Sequence, residues 1–223
     1  MQNVNREALI AEIQKRKTKS EKPQFIFEDF CFDKQVEFFR GKGVRFRTAV
    51  CSRRAGKTVG IAADMVDAAL DEEEANLLYI TITQQQARAI IWSDLIKIVE
   101  EYELDCKTDN VRLTITFPNK SKIYIAGAKD RTEIEKFRGW KLKKCYIDEC
   151  QSFRSYLMEL INDIIIPALR DKRGQYILQE HQDQSKQECF SSTHNRKIGG
   201  LITGQLLIIL ICTLLLIWTW KKF

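Results

Sequence analysis

The sequence is poor in the residues that build disulfide frameworks and zinc sites. Only two histidines occur among 223 residues, and the seven cysteines, an odd number, include no Cys-x-x-Cys pair. Neither a disulfide scaffold nor a zinc site is therefore indicated, and we expect a reducing compartment. No long apolar stretch follows the basic residues near the start of the chain, so a secretory signal is not expected either.

A strong excess of charge of one sign is also missing. Lys and Arg number 36 against 30 Asp and Glu, a net charge of +6. This bias is compatible with contact to a polyanion but too small to indicate one. Hydrophobic residues make up 44% of the chain, which is enough for one substantial α/β domain with a buried sheet. A second full domain would not fit in this length.

Residues 51–58, Cys-Ser-Arg-Arg-Ala-Gly-Lys-Thr, form a phosphate-loop pattern. The apolar residues before them are strand-like and those after Lys57 have helical spacing, so the segment is predicted where a strand turns into a helix. The unpaired N–H groups and the positive dipole end of such a helix face bound phosphates. Lys57 is predicted to reach the β and γ phosphates, and the Thr58 hydroxyl to hold Mg²⁺.

A second motif, Cys145-Tyr-Ile-Asp-Glu149, is a short apolar strand that ends in two carboxylates. Asp148 is predicted to hold the metal and Glu149 to polarise an attacking water. Each motif alone has an ordinary alternative, a chance string that lacks its first glycine or a strand that meets a solvated turn. About 90 residues separate the motifs, the room that two or three further strand and helix units occupy, so together they favour a nucleotide-binding sheet.

The rest of the chain alternates predicted strands and helices. The patterns predict a strand over 75–82, a helix over 84–102, a β-hairpin over 111–126, a loop over 127–139, a helix over 156–169 and a strand over 175–178. The predicted fold class is therefore α/β, a P-loop NTPase with a mostly parallel sheet flanked by helices.

Before the phosphate loop, residues 1–24 are polar and basic and predict at most a marginal helix. The Phe-rich segment that follows, residues 25–39, is predicted to be core. Gln35 within it lies upstream of the phosphate loop, where ATPases of several kinds use a glutamine to read the edge of adenine. A surface glutamine on a packed helix explains the spacing equally well.

Five segments resemble the ATPase domain of phage terminase large subunits, the motors that package viral DNA, and they keep that family's order and approximate spacing. These segments are Ser52-Arg-Arg-Ala-Gly-Lys-Thr58, Gln84 to Trp92, Phe137-Arg-Gly139, Tyr146-Ile-Asp-Glu149 and Ile166-Pro-Ala-Leu-Arg-Asp171. The resemblance covers residues 25–179. It implies that the nucleotide is ATP with Mg²⁺ and that double-stranded viral DNA is moved into a capsid. It further implies a portal and a small terminase subunit as partners, a homo-oligomer, and the host cytoplasm as the location.

The resemblance also implies roles for particular residues. In the family, an arginine just before the glycine-lysine pair acts on the γ phosphate in cis, and the matching position is Arg53, with Arg54 a near alternative. Glu149 and Arg53 are thereby the catalytic residues, and Thr58 and Asp148 the metal ligands. The implied nucleotide-binding set is Gln35, Ser52, Arg53, Arg54, Ala55, Gly56, Lys57 and Thr58. Cys51 replaces the glycine of the general pattern, which bears on loop geometry rather than on chemistry.

After Leu178 the sequence departs from the family. A Gly-Thr-Pro-like coupling segment and a nuclease domain with clustered acidic ligands would follow, whereas residues 180–197 are polar and residues 198–220 carry no charge. An apolar helix of this length spans about 34 Å, enough to cross a bilayer core. Basic pairs on both sides leave its orientation undecided. The predicted sheet is thus incomplete at its C-terminal side and is followed by an apolar helix.

We favour a frameshift as the origin of this tail. Read one base earlier, the codons from Glu180 onward can supply Gly-Thr-Pro, and the same shift turns many polar codons into Ile or Leu codons. The first hypothesis is therefore the ATP-hydrolysing domain of a packaging terminase, truncated before the coupling segment and the nuclease domain. The second is a membrane-anchored P-loop ATPase with a genuine single-pass helix over 198–220. A helicase-like ATPase is weaker, because the Ser-Arg-Arg form and Arg138-Gly139 favour a terminase.

Overall fold

The computed structural model describes residues 24–41, 44–51 and 54–181. The predictions for residues 1–23, for Ser52 and Arg53 and for the apolar run 198–220 lie outside these residues. The described residues form one seven-stranded sheet with helices packed on both faces, which confirms the predicted α/β class. In this part of the chain, no helix is long and apolar enough to cross a membrane.

The sheet is mostly parallel. Its strands are β1 (Phe46–Cys51), β2 (Asn76–Thr81), β3 (Lys107–Asp109), β4 (Thr114–Thr116), β5 (Lys122–Gly127), β6 (Lys144–Ile147) and β7 (Gln175–His181). Their order across the sheet is β1-β7-β6-β2-β5-β4-β3. All neighbouring pairs are parallel except β5 with β4 and β4 with β3. The sheet therefore places β7 between β1 and β6, the two strands that carry the predicted motifs.

Five helices cover the sheet in the described residues. They are α1 (Asp33–Arg40), α2 (Lys57–Asp71), α3 (Gln84–Ala87, then π-helical Arg88–Trp92, then Ser93–Glu101), α4 (Arg131–Ile134) and α5 (Leu157–Glu159, then π-helical Leu160–Ile165, then Ile166–Ala168). Tight 3₁₀ turns precede α1 (Phe27–Phe30), follow α4 (Glu135–Phe137) and precede α5 (Cys150–Tyr156). Helix α2 follows β1 directly across the phosphate-loop segment, as the sequence predicts.

The core lies in two layers, one on each face of the sheet. Successive side chains of a strand point to opposite faces, so Leu77 and Tyr79 of β2 pack with α2 and α3, whereas Leu78 and Ile80 pack with α5. All four side chains are fully buried. Burying an aliphatic side chain of this size contributes about 1.5–3 kcal/mol. Strands covered on both faces have continuous apolar runs, which explains why the sequence reveals them.

The predicted loop over 127–139 is wrong, because its centre is helical. Asp130 caps α4, and its side chain accepts hydrogen bonds from the backbone N–H groups of Thr132 and Glu133, both 2.9 Å long. Such a cap satisfies donors that the first helical turn leaves open. Ile134 is fully buried, so the short helix is held by packing as well as by its cap.

The last strand is longer than the sequence predicts. The predicted strand ended at Leu178, with an irregular polar segment from residue 180, but β7 continues to His181. Its parallel pairing with β1 runs to the pair Cys51 and His181. Backbone hydrogen bonds to β1 thus keep these polar residues in the strand, since β propensity depends strongly on strand context. The rest of the predicted polar segment lies outside the described residues.

Candidate nucleotide-binding site

The phosphate-loop segment lies between β1 and α2, at the carboxyl edge of the parallel strands. Two of its described residues have the left-handed backbone, Arg54 with φ of 61° and Gly56 with φ of 69°. Arg54 is exposed. Glycine adopts this conformation without the clash that a side chain introduces, so Gly56 suits the turn into α2. The geometry of Ser52 and Arg53 lies outside the described residues.

The loop ends at the N-terminus of α2. Gly56 is the N-cap, and its carbonyl accepts the first helical hydrogen bond from the N–H of Gly60, at 3.1 Å. Lys57 and Thr58 are the first two residues of the helix, and both are half-buried. Because the first N–H groups of a helix have no acceptor within it, this end is suited to bind an anion.

Gln35 of α1 contacts the phosphate loop. Its Nε2 atom donates to the carbonyl of Ala55 at 3.2 Å, and its Oε1 atom accepts from the N–H of Phe32 at 3.4 Å. A Cβ atom at Gly56 would lie 3.3 Å from Gln35 Nε2. Gln35 therefore contacts the phosphate loop, while it also remains a partly exposed glutamine on a packed helix. That it reads adenine stays a prediction.

Asp148 follows β6 directly and is only 6% exposed. Its Oδ2 atom accepts from the hydroxyl of Tyr79 at 2.7 Å, and its Oδ1 atom accepts from the backbone N–H of Glu149 at 2.9 Å. Burial, and then the charge of Asp148, raise the pKa of Tyr79 well above its ordinary value. The phenol therefore stays protonated and donates to the carboxylate.

Glu149 has a left-handed backbone, with φ of 51° and ψ of 43°. It is half-buried, and its carbonyl accepts from the N–H of Ser152 at 2.8 Å. A residue other than glycine in this region costs about 1–3 kcal/mol, and such residues cluster at functional sites. The backbone thus changes direction immediately after Asp148.

A buried ion pair beside the site was not predicted from the sequence. Asp64 of α2 is 1% exposed. It accepts from Lys144 Nζ at 2.9 Å and from the Tyr146 hydroxyl at 2.6 Å. Burial, and then the charge of Asp64, raise the pKa of Tyr146 well above its ordinary value. The helix after the phosphate loop carries two acidic residues within its apolar run, Asp64 and Asp67, and the sequence does not show which of them is buried.

The parallel register brings the two motifs to the same edge of the sheet. Ile147 pairs with Leu178, and Gln179, the next residue of β7, pairs with Ala49 of β1. Gln179 is thus at the level of Asp148, between the two motif strands. It is 3% exposed, and its Oε1 atom has no hydrogen-bond partner among the described residues.

The donors present fit Mg²⁺ bound together with a nucleotide. Over residues 24–41, 44–51 and 54–181, no three His, Cys, Asp or Glu side chains form a cluster that could hold a metal by themselves. Magnesium does not need such a cluster at a nucleotide site, where one or two oxygen ligands and the phosphates suffice. The Thr58 hydroxyl and the Asp148 carboxylate are ligands of this kind.

Comparison with known families gives one match over most of the chain. The sequence profile described as phage terminase large subunit matches residues 44–193. A comparison with curated protein sequences gave no significant match.

Several solved structures have the same fold. A large terminase from a thermophilic bacteriophage gives a TM-score of 0.54 at 21% identity and covers 66% of this chain and 38% of that protein. The large terminase ATPase domain of Thermus phage P74-26 gives 0.56 at 17% identity, over 67% and 64% of the two chains. The HK97 bacteriophage large terminase gives 0.55 at 16% identity, over 68% and 33%.

The matched region spans less than two thirds of each of these three proteins. The first of them, the thermophilic bacteriophage enzyme, has also been solved in complex with ADP and with ATP-γ-S. At identities of this level the structural similarity establishes the fold. Family membership rests on the sequence profile.

Proposed function

Since the chain belongs to the phage terminase large subunit family, we propose that residues 25–179 form the ATP-hydrolysing motor domain of a viral DNA-packaging enzyme. One observation carries the proposal. The phosphate-loop segment and the pair Asp148 and Glu149 lie at one edge of a parallel sheet, with only β7 between their strands. The ADP and ATP-γ-S complexes of the thermophilic bacteriophage enzyme support nucleotide binding by this domain.

Nucleotide binding rests on the phosphate loop and on α2. The N-terminus of α2 attracts the phosphates, and Lys57 neutralises charge on the β and γ groups. The loop residues of the proposed set are Ser52, Arg53, Arg54, Ala55, Gly56, Lys57 and Thr58. The side-chain amide of Gln35 donates to the Ala55 carbonyl and so supports the conformation of the loop. A bound adenine would have to compete with this carbonyl for the side-chain amide of Gln35.

Thr58 and Asp148 would hold Mg²⁺ together with phosphate oxygens. When bound, the ion neutralises charge that develops on the β and γ phosphates. The hydrogen bonds that Asp148 accepts from Tyr79 and Glu149 fix the orientation of its carboxylate before any ligand arrives. A group held in its productive orientation loses less freedom on binding.

Hydrolysis requires a base for the attacking water. Glu149 accepts a proton from the attacking water, and the water oxygen bonds to the γ phosphorus. The bond from this phosphorus to the bridging oxygen breaks, so that ADP and phosphate are the products. Arg53 stabilises charge on the transferred group, with Arg54 as the alternative at the neighbouring position. Stabilisation of developing charge accounts for a large part of the rate in many enzymes.

The biological setting follows from the family. We propose double-stranded viral DNA as the substrate that is moved, a portal and a small terminase subunit as partners, a homo-oligomer as the working form and the host cytoplasm as the location. The alternative of a membrane-anchored ATPase depends on residues 198–220, which lie outside the described residues. No observation favours a helicase-like ATPase over a terminase, whose family profile matches residues 44–193.

The proposal is tested by phosphate release from ATP with the full chain and two variants. Glu149→Gln should bind ATP as the wild type does but hydrolyse it on the order of a hundredfold more slowly, because the base is lost. Lys57→Ala should instead weaken ATP binding, since the phosphate charge is no longer neutralised. Equal hydrolysis by the wild type and Glu149→Gln would overturn the assignment.

A further inference from the structure

Tyr79 reaches the carboxylate of Asp148 from the neighbouring strand. Its ring is fully buried, and its hydroxyl lies 2.7 Å from Asp148 Oδ2. The other oxygen, Oδ1, accepts from the Glu149 N–H. A carboxylate has about four acceptor positions, so two donors fix its plane and still leave lone pairs on both oxygens. These remaining positions are the ones that a metal ion or its bound water can use.

We propose that Tyr79 is a positioning residue that holds Asp148 in the orientation that binds Mg²⁺. This role rests on the proposed function, in which Asp148 is a metal ligand. Hydrogen bonds from outside the ligand set orient metal-binding side chains, and their loss commonly costs tenfold or more in metal affinity. Tyr79 does not touch the nucleotide in this role and acts only through Asp148.

The alternative is a purely structural role, in which the hydrogen bond only provides an acceptor for a buried phenol hydroxyl. Tyr146 provides the comparison, because it pairs with Tyr79 in the parallel register of β2 and β6. It is equally buried and donates at 2.6 Å to Asp64, a carboxylate outside the proposed ligand set. Tyr146→Phe therefore removes a similar hydrogen bond without touching Asp148, which makes it the matched control for Tyr79→Phe.

Metal binding is measured with the full chain in the presence of ADP, with Mn²⁺ as a paramagnetic substitute for Mg²⁺. The dissociation constant for Mn²⁺, obtained from the free-ion signal, should rise about tenfold in Tyr79→Phe and stay at the wild-type value in Tyr146→Phe. ADP binding in EDTA should be the same in all three proteins. The Mg²⁺ concentration for half-maximal ATP hydrolysis should rise with the Mn²⁺ constant, and saturating Mg²⁺ should restore most of the rate.

Two further variants complete the test. In an Asp148→Ala background, Tyr79→Phe should have no additional effect on Mn²⁺ affinity, because the side chain through which Tyr79 acts is absent. Tyr79→Leu, which also lacks the donor, repeats the measurement with different packing in case the phenylalanine variant does not fold. Thermal unfolding identifies the folded variants.

The outcomes separate the two proposals. Wild-type protein that binds no Mn²⁺ in the presence of ADP would overturn the proposed function and this role with it. Normal Mn²⁺ binding by the wild type, with an unchanged constant in Tyr79→Phe or an equal loss in Tyr146→Phe, would overturn the positioning role alone.

Discussion

Tyr79 and Tyr146 occupy the same register position on the parallel strands β2 and β6, and each donates its hydroxyl to a different buried carboxylate. Tyr146 bonds Asp64 of α2, the helix that follows the phosphate loop, and Tyr79 bonds Asp148 at the end of β6. Buried hydrogen bonds thus connect β6 to α2, which follows the phosphate loop, and connect β2 to the acidic residue that follows β6. Because an unpaired buried polar group is costly, α2 and β6 are expected to keep their relative position.

Replacing Asp64 should destabilise the protein strongly. Asp64→Ala leaves Lys144, whose side chain is only 13% exposed, and the Tyr146 hydroxyl without their acceptor. Breaking a buried pair by removing one partner costs about 3–5 kcal/mol, a loss that urea unfolding can measure. The control is Asp67→Ala on the same helix, which breaks a more exposed pair with Arg40 and should cost about 1 kcal/mol or less. Equal losses of unfolding free energy in the two variants would show that the buried pair contributes no more to stability than the exposed pair.

The variant Glu149→Gly should have a higher free energy of unfolding than the variant Glu149→Ala. The positive φ of Glu149 disfavours any side chain by about 1–2 kcal/mol, while glycine loses more backbone entropy on folding. We expect Glu149→Gly to exceed Glu149→Ala in unfolding free energy by about 1 kcal/mol, and both to lose hydrolysis.

Glu100 is the control position for this comparison, because it is exposed and lies within α3. There the order should reverse, with alanine more stable by about 0.5–1 kcal/mol. Alanine favoured at both positions would mean that the left-handed turn after Asp148 does not persist in solution.

The local features of the site could be predicted from the sequence, but its long-range contacts could not. Phosphate-loop residues and the acidic end of β6 have short motifs, so their place at strand ends could be predicted. The bond from Tyr79 to Asp148 joins residues 69 apart, and the bond from Tyr146 to Asp64 joins residues 82 apart. Such contacts depend on strand order and register, which spacing along the chain does not determine.

Two features of the fold that the sequence patterns did not predict have different physical origins. The helix at residues 131–134 had a readable signal, because Asp130 followed by Glu133 is an N-cap pattern. The extension of β7 through Glu180 and His181 had none, because it depends on backbone pairing with β1. Local capping could have been found in the sequence, whereas pairing with a strand more than 120 residues away could not.

Glu72 should make stability depend on pH in the acidic range. Its carboxylate pairs with Lys143 and, at 3.4 Å, with Lys172. The hydrogen bond from Lys143, more than any other contact, lowers the pKa of Glu72 below its ordinary 4.5. A carboxylate with a lowered folded-state pKa contributes stability above its unfolded pKa, and this contribution is lost as pH falls through the folded value.

Glu72→Gln should therefore melt a few degrees below the wild type at pH 7, as expected for about 1 kcal/mol or less. The two melting temperatures should converge as the pH falls below 4.5. Glu73→Gln, at the neighbouring exposed position, should follow the wild type throughout. A constant difference between Glu72→Gln and the wild type at all pH values would point to packing rather than charge.

The two arginines of the phosphate loop should differ in which step they affect. An arginine that meets charge developing on the γ phosphate stabilises the transition state more than the bound substrate. Arg53→Ala should therefore lower single-turnover hydrolysis on the order of a hundredfold or more, with little change in ATP-γ-S affinity. Arg54 is exposed and has a left-handed backbone, and Arg54→Ala should retain most of the turnover. If Arg54→Ala abolishes hydrolysis while Arg53→Ala is silent, the catalytic arginine is Arg54 and the assignment by family position is wrong.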